Sequence, residues 1–306
     1  MSGWRQRAAQ GEAALKQMWT AVRAALVAAL AISACEAPAR GQGAAPALHA
    51  SGASLFAMTP DRQWSLPNRL KEISGLAVTA DGRLLAHGDE HATIHALDIN
   101  TGEITKSFTV GQPAIKGDFE AIAIAHGDIY LMASNGRMLR FREGADGASV
   151  PSETIDTGLA DICEVEGLAW RRASDSLIIA CKTNYAHAMR KTVALYAWSL
   201  RTRARSPTPW LAVREKTLAD AAGVAKFHPS EVAIDPATGR IILLAGREQA
   251  MVELDPNGAV RAARRLGPVH GQPEGAAIMP DGGLVISDEA TDTLRAQLTR
   301  YPRIHG

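Results

Sequence analysis

Four glutamates occupy the same position of a repeated sequence pattern: Glu120, Glu166, Glu231 and Glu274. Carboxylates that meet in one place repel one another, so their pKa values rise unless a cation neutralises the charge. Calcium accepts about six to eight oxygen ligands in flexible geometry and suits such a group. One interpretation is therefore a calcium site made by these residues. The alternative is that each glutamate accepts hydrogen bonds from backbone N–H groups of a neighbouring repeat and holds the repeats together.

The elements that must position these glutamates are hairpins. Each repeat is a short apolar run, a turn and a second apolar run, as in "EAIAIAHGDIYLMASNG" from Glu120 and "EGAAIMPDGGLVISDEA" from Glu274. His-Gly and Asp-Gly turns between such runs are typical of β-hairpins. Aliphatic residues occupy both faces of the second run, which indicates strands that are buried on both sides.

The spacing of the repeats predicts the fold. Five repeats from Ser74 to Glu274 follow at intervals of 46, 46, 65 and 43 residues, and most of these intervals match one propeller blade. The sequence predicts an all-β, five-bladed β-propeller of four-stranded antiparallel blades. The segment "RQWSLP" at residues 62–67 is expected to complete the last blade, and the extra length before Glu231 is expected to be a helical insertion on the rim. A β-sandwich is the alternative fold, but it does not predict a repeat of this length.

In a closed ring, the innermost strands surround a central channel. Each repeat glutamate begins its innermost strand, so the four carboxylates are expected at one end of the channel. The second strand of a hairpin ends beside the start of the first strand. This geometry adds further acids to the same rim: Asp89, Glu90, Asp288 and Glu289.

These repeats resemble those of a known family. The segments "DFEAIAI", "CEVEGLAW", "HPSEVAIDPATGRIILLAG" and "QPEGAAIMPDGGLVISDEA" are similar to repeats of the SdiA-regulated β-propeller family, distant relatives of NHL-repeat propellers. The resemblance covers roughly residues 65–306. It implies a five-bladed propeller of bacterial envelope proteins, with a calcium site and no established catalytic activity. The candidates that it implies for that site are Glu120, Glu166, Glu231 and Glu274.

The N-terminal segment predicts export. Residues 24–32, "AALVAALAI", form an apolar run that is too short to span a bilayer but suits a secretory signal. The following "ISAC" resembles a bacterial lipobox, so Cys35 is expected to carry a lipid; the alternative is a plain secretory signal that is cleaved nearby. We expect a lipoprotein signal peptide at residues 1–34, a flexible tether at residues 35–61 and the propeller at residues 62–306.

The charge of the chain indicates that nucleic acid is not its partner. The formal net charge is +1, and residues 1–34 contribute +3, so the remainder carries −2. A nucleic-acid-binding surface requires a basic patch, and this balance does not predict one. The expected partners are the membrane of a bacterial cell envelope, through Cys35, and a small ligand or an envelope protein.

Three further groups of residues have types that occur in chemical sites. Cys163 and Cys181 lie at the two ends of the third hairpin that hairpin geometry brings together, and export favours a disulfide over two buried thiols. The histidines of "HGDEHATIH" lack the helical placement that a zinc-protease motif needs. Ser230 lacks the sequence context of an activated nucleophile and is interpreted as a turn residue.

Two functions fit this sequence. The first is a lipid-anchored module that binds calcium at the channel mouth and presents one face to a ligand or a protein. The second is a calcium-dependent hydrolase of the lactonase or phytase propeller type, in which the metal polarises a carbonyl or holds phosphate. In the second case, Lys182 and Asn184 of "CKTN" are candidates for the acid or base.

Overall fold

The computed structural model describes residues 52–304. The chain forms five antiparallel sheets, which are the blades of a β-propeller. The innermost strand of each blade packs against the innermost strands of both neighbours, and the last blade packs against the first. The predicted five-bladed, all-β fold is therefore confirmed.

The first strand, β1 (Arg62–Ser65), belongs to the last blade. Blade 1 contains, from the inside outwards, β2 (Ile73–Val78), β3 (Leu84–Gly88), β4 (Thr93–Leu97) and β5 (Ile104–Val110). Blade 2 contains β6 (Phe119–Ala125), β7 (Asp128–Ala133), β8 (Arg137–Phe141) and, outermost, β10 (Glu153–Asp156). The two-residue β9 (Ser149–Val150) pairs in parallel with the end of β5, so the connection within blade 2 reaches the outer edge of blade 1.

Blades 3 and 4 continue the ring. Blade 3 contains β11 (Cys163–Arg171), β12 (Ser176–Asn184) and β13 (Thr192–Ser199), with two short strands paired to β13, namely β14 (Ala204–Arg205) and β15 (Leu211–Arg214). Blade 4 contains β16 (Glu231–Ile234), β17 (Ile241–Ala245), β18 (Ala250–Leu254) and β19 (Val260–Arg265).

Blade 5 joins the two ends of the propeller. It contains β20 (Pro273–Ile278), β21 (Leu284–Asp288) and β22 (Gln297–Tyr301), with β1 as the outermost strand. β1 pairs with β22 in antiparallel register, from Arg62 opposite Arg300 to Ser65 opposite Gln297. The expectation that "RQWSLP" completes the last blade is confirmed, because residues 62–65 supply its missing strand.

The insertion before blade 4 is partly helical, as expected. Helix α1 (Glu215–Ala222) ends at Gly223, whose φ of 69° is the left-handed conformation common at helix C-termini. The structure differs from the expectation in that β15 directly precedes the helix. Leu218 and Phe227 are buried in the cluster between blades 3 and 4, so the insertion extends the core as well as the rim.

The hydrophobic core lies between neighbouring blades. Five clusters of buried side chains each join two blades. Ile178 of β12 and Leu243 of β17, for example, are fully buried in the cluster between blades 3 and 4. The aliphatic residues on both faces of the middle strands are therefore buried against the blades on either side, which no blade achieves alone.

Residues 54–58 also pack on the propeller, although the sequence placed them in the flexible tether. Phe56 is fully buried between blades 4 and 5 and forms a bridge with Arg303. The Leu55 N–H donates to the carboxylate of Glu253 at 3.0 Å. Burial of a Phe side chain offsets the entropy lost when this segment becomes ordered. The predicted boundary at residue 62 is therefore too late.

The predicted signal peptide, Cys35 and the start of the tether lie outside the described residues. Between residues 52 and 304, the structure contains no helix with the length and apolarity needed to cross a membrane.

Candidate functional site

Three of the repeat glutamates stand at β-bulges. The register between the first two strands of blades 2, 3 and 5 slips at Glu120, Glu166 and Glu274, so these residues have no partner across their hairpins. The same slip occurs at Ser74 of blade 1. A bulge bends the strand and re-aims the side chain, and bulges are common beside functional sites. This irregularity gives the equivalent residues of four blades the same local geometry.

The repeat glutamates lie near further charged side chains, at the end of the channel where the inner strands begin. Their charges act on one another, which places them at one end of the channel. We call this group the acidic rim; it consists of Glu72, Asp89, Asp118, Glu120, Glu164, Glu166, Glu231, Glu274, Glu289 and Lys182. The sequence-based expectation that the four repeat glutamates gather in one place agrees with this arrangement.

Burial and mutual repulsion raise the pKa values of several carboxyl groups of the acidic rim. Burial, with the added charges of Glu166 and Asp118, raises the pKa of Glu120 well above its usual range. Burial and the charge of Glu289 raise the pKa of Glu274 to about 8. Burial and the charge of Asp89 raise the pKa of Glu289 to about 7. Carboxyl groups that titrate near neutral pH are suited to proton transfer.

Lys182 supplies a positive charge within this acidic group. Its Nζ lies 2.5 Å from Oε1 of Glu166 and 3.6 Å from Oε1 of Glu164. Burial lowers the pKa of Lys182, but its hydrogen bond to Glu166 and the negative charges of the nearby glutamates together outweigh this effect and leave the pKa raised. The Lys182 side chain is 27% exposed and that of Glu166 is 4% exposed. The ammonium is therefore accessible from solvent, whereas the carboxylate is buried.

Glu231 differs from the other repeat glutamates. It pairs regularly with Leu244, and its Oε1 accepts hydrogen bonds from the N–H groups of Leu168 at 3.1 Å and Val232 at 2.7 Å. The bond to Leu168 joins blade 4 to blade 3, so the interpretation as a link between repeats describes this residue. Its Oε2 is buried without a partner in the described part of the chain. Burial raises the pKa of Glu231 well above its usual range, which favours the protonated form.

The glycine after the glutamate brings two pairs of inner strands together. A Cβ atom on Gly167 would lie 2.7 Å from the backbone nitrogen of Val232 in blade 4. A Cβ atom on Gly275 would lie 3.1 Å from the backbone nitrogen of Leu76 in blade 1. A side chain at Gly167 or Gly275 would crowd the neighbouring strand, so the glycine after the glutamate lets the inner strands of adjacent blades approach closely beside the carboxylate.

Sequence reasoning missed the polar residues that stand two positions before the bulges: Glu72, Asp118, Glu164 and Gln272. Residues two apart in a strand face the same way, so each of them can accompany its repeat residue to the rim. The amide of Gln272 donates to Oε2 of Glu289 at 2.6 Å. The recurrence of "EIS", "DFE", "EVE" and "QPE" at equivalent positions was the signal that could have found them.

The raised pKa values predict that stability decreases as the pH rises. A glutamate of unfolded chain has a pKa near 4.5, whereas Glu274 in the folded protein has a pKa of about 8. Between these values the folded state binds more protons than the unfolded state, so the free energy of unfolding falls with increasing pH. The contribution of Glu274 is fully present below pH 4.5 and is lost as the pH passes through about 8.

The substitution Glu274→Gln tests this dependence, because a neutral amide mimics the protonated acid. In urea unfolding at pH 9, we expect the variant to exceed the parent protein in stability by on the order of 1 kcal/mol, after allowance for partial exposure. At pH 5 the two proteins should be equally stable. Glu103→Gln, at an exposed turn, is the control and should change neither value. Equal stability of parent and Glu274→Gln at pH 9 would contradict the raised pKa.

Calcium binding stays a prediction. The chemistry of the site suits calcium, because carboxylates converge and Oε2 of Glu231 has no partner among the described residues. Within residues 52–304, however, no three acidic, histidine or cysteine side chains are arranged to hold a metal ion. Lys182 already provides a positive charge next to Glu166 and Glu164.

The side chains of Ser230 and Asn184 form hydrogen bonds with backbone groups. The Ser230 hydroxyl donates to the carbonyl of Pro273 and accepts from the N–H of Gly246, both at 3.0 Å, and so joins blades 4 and 5. Asn184 is buried and donates to the carbonyl of Thr192 at 2.7 Å, which closes the loop between β12 and β13. Neither side chain is arranged as a nucleophile or as an acid or base.

The cysteines and histidines lie within the blades. Cys163 and Cys181 form a disulfide with an S–S distance of 2.03 Å, which joins β11 to β12 behind the acidic rim. His87 and His95 are buried in blade 1, whereas His91 is exposed, so these three histidines do not form a cluster.

Solved structures share this fold at low sequence identity. The PQQ-bound form of aldose sugar dehydrogenase from Streptomyces coelicolor matches with a TM-score of 0.52 and 14% identity, over 80% of this chain and 98% of that chain. Glutaminyl cyclase from Myxococcus xanthus matches with a TM-score of 0.54 and 14% identity, over 81% of this chain and 97% of that chain. The chain is a β-propeller. At such identity the likeness concerns the fold, and function must be argued from the site.

Sequence comparisons add one partial match. A family model for the WD40 domain of anaphase-promoting complex subunit 4 matches residues 54–126, which include β1, blade 1 and the inner strand of blade 2. WD40 domains are themselves propellers, in agreement with the blades described above. No curated protein matches the sequence.

Proposed function

We propose that this propeller is a hydrolase whose acidic rim cleaves a small uncharged ester or lactone by acid–base catalysis. The observation that carries the proposal is the contact between Lys182 and Glu166 among carboxyl groups whose pKa values are raised towards or above neutrality. A module that only binds a partner does not need side chains that titrate near neutral pH. An acid–base catalyst does, because proton transfer is most efficient when the pKa lies close to the working pH.

Each group has a role that follows from its environment. The ionised form of Glu166, stabilised by Lys182, accepts a proton from water while the water oxygen bonds to the substrate carbonyl carbon. The Lys182 ammonium stabilises the negative charge that develops on the carbonyl oxygen. Glu120, whose raised pKa keeps it protonated, donates its proton to the leaving oxygen as the C–O bond breaks. One water is consumed, and the product is a hydroxy acid or an acid and an alcohol.

The charge of the acidic rim selects the substrate class. Nine of its ten residues are acids and only Lys182 is basic, so ionisation gives this end of the channel a negative potential. Such a potential repels phosphate esters and admits uncharged esters or lactones. Hydrolysis converts an uncharged lactone into a carboxylate, which the same potential repels, so product release is favoured.

A substrate panel tests the proposal. The purified full-length chain is incubated with γ- and δ-lactones, aryl acetates and aryl phosphates, and acid release is followed by pH-stat titration. We expect turnover of lactones or acetates and none of aryl phosphates. Turnover of the phosphates alone, or of no member of the panel, would remove the proposed reaction; absence of any turnover would favour the binding module instead.

A competition experiment addresses calcium at Glu120, Glu166, Glu231 and Glu274. Lys182 and a calcium ion would neutralise the same carboxylates, so Lys182→Met is expected to tighten calcium binding about tenfold in calorimetry. Glu166→Gln and Glu274→Gln should weaken it, whereas Lys226→Met, at an exposed position, should leave it unchanged. Absence of calcium binding in both the parent and Lys182→Met would rule out the metal. No step of the proposed reaction depends on calcium.

The envelope location is proposed on sequence alone. From the resemblance of its repeats, we infer that the chain belongs to the SdiA-regulated propellers. We also infer that it is a lipoprotein anchored through Cys35, because "ISAC" follows an apolar signal-like run. Cys35→Ser should release the protein from the membrane fraction and reduce its mass by that of the lipid. A variant that stays membrane-bound with the mass of the parent, corrected for the substitution, would contradict the anchor.

A further inference from the structure

A cavity of about 1010 Å³ lies at the end of the channel opposite the acidic rim. Its walls are the C-terminal halves of the five inner strands and the turns that follow them. Cavities of about 300–1000 Å³ hold drug-sized ligands, so this cavity has room for a small molecule. The proposed hydrolysis uses none of its side chains.

Apolar side chains from all five blades form a ring around the cavity: Val78, Ile124, Trp170, Ile234 and Ile278. Each of the five is only partly buried, although each is a large apolar residue. In all five blades the residue before the ring is alanine, which leaves space along the axis. Apolar surface that stays accessible inside a concave site is typical of ligand-binding sites.

The mouth of the cavity is rigid on the side of Trp170. The indole N–H of Trp170 donates to Oδ1 of Asp175 at 3.3 Å, and the same oxygen lies 2.7 Å from Nε2 of His126. The ring of His126 stands edge-on to the indole, with 5.0 Å between the ring centroids. These contacts hold the indole in one orientation, so an apolar wall exists before a ligand arrives.

Three arginines line the cavity, and two of them are neutralised. Arg83 contacts Glu143 at 2.5 Å and Asp81 at 2.8 Å. Arg303 makes two bonds to the carboxylate of Asp235, at 2.9 and 3.0 Å. The guanidinium of Arg172 instead lies 5.0 Å from the ring centroid of Trp170, and it has no acidic partner among residues 52–304.

From this geometry we propose that the cavity binds a small molecule with an apolar body and one carboxylate, such as a medium-chain fatty acid. The apolar ring covers the hydrocarbon body, and Arg172 pairs with the carboxylate at the mouth. Arg172 suits this role because a guanidinium binds a carboxylate through two parallel hydrogen bonds. The proposal concerns a second site, and it stands independently of the hydrolysis at the acidic rim.

Octanoate and octanol are the probes, because they share the same chain length and differ in charge. Each is titrated into the full-length chain by calorimetry. We expect both to bind, with octanoate about tenfold tighter because of the charge-assisted bond to Arg172. Arg172→Ala should remove the difference by weakening octanoate alone. Ile124→Glu should weaken both probes, because it places a charge in the apolar ring.

Arg171→Ala is the matched control. Arg171 is the neighbouring arginine and also stacks on a tryptophan, Trp210, at 4.9 Å, but it does not line the cavity. This variant should bind both probes as the parent does, and Arg172→Ala should retain any turnover at the acidic rim. Lack of binding by both probes, or equal loss of octanoate affinity in Arg171→Ala and Arg172→Ala, would overturn the proposal.

Discussion

Glu166→Gln is expected to lower kcat/KM for lactone hydrolysis about 100- to 10,000-fold at neutral pH. The amide occupies the same space as the carboxylate but cannot accept the proton of the attacking water. Lys182 also loses the negative charge of the partner whose Oε1 lies 2.5 Å from its Nζ, so the ammonium is less firmly held for the carbonyl oxygen. The measurement is steady-state kinetics on the best lactone of the panel, for the full-length parent and the variant.

The pH profile separates a chemical role from a structural one. In the parent, kcat/KM should rise as Glu166 ionises and fall as the protonated acid is lost, because one carboxyl group acts as base and another as acid. Glu166→Gln should lose the rising limb while its thermal unfolding stays close to that of the parent. Glu103→Gln, at an exposed glutamate directly before the outermost strand of blade 1, should keep both the rate and the profile. An active Glu166→Gln enzyme with an unchanged profile would end the assignment.

Removal of residues 1–66 is expected to abolish or strongly weaken the fold. The deletion removes β1, which pairs with β22 over four residues, and three buried side chains, Phe56, Trp64 and Leu66. Burial of each such side chain contributes about 1.5–3 kcal/mol, so the loss from all three is about 4.5–9 kcal/mol. This amount is comparable with the whole stability of many proteins, about 5–15 kcal/mol. In thermal unfolding followed by circular dichroism, the midpoint should fall by at least about 10 °C or the cooperative transition should disappear.

A shorter deletion and a point substitution control this experiment. Removal of residues 1–51 leaves Phe56 and β1 in place and should leave the transition unchanged. Trp64→Ala should cost about 3–5 kcal/mol, because the indole is 9% exposed and its N–H donates to the carbonyl of Asn100 at 2.9 Å. If the protein without residues 1–66 unfolds at the same temperature as the parent, the pairing of β1 with β22 does not contribute to the stability of the ring.

The ring and the position of the glutamates within it could be predicted because both depend on a period. A repeat of 46 residues is one hairpin-based sheet that cannot bury its faces alone, so its recurrence implies stacked blades. Equivalent positions of stacked blades lie at the same depth, which brings Glu120, Glu166 and Glu274 to one end of the channel. The missing outer strand of the last repeat likewise pointed to residues 62–67.

The details of the acidic rim could not be predicted in this way. A β-bulge depends on how two strands align their hydrogen bonds, and a slip of one residue leaves the apolar pattern almost unchanged. Glu231 carries the same residue type at the same repeat position, yet it turns to the N–H of Leu168 and joins two blades. The packing of Phe56 was missed for a related reason, since its burial depends on blades 4 and 5 and not on its sequence neighbours.

By itself the sequence determined the number of blades, the way the ring closes, and the end of the channel at which the acids collect. Only the tertiary structure decided which carboxylate meets Lys182, which one meets a backbone N–H, and that the roomy apolar cavity lies at the other end. These features depend on contacts between residues that are far apart in the chain. Such contacts do not recur at a fixed interval, so the repeat pattern of the sequence does not reveal them.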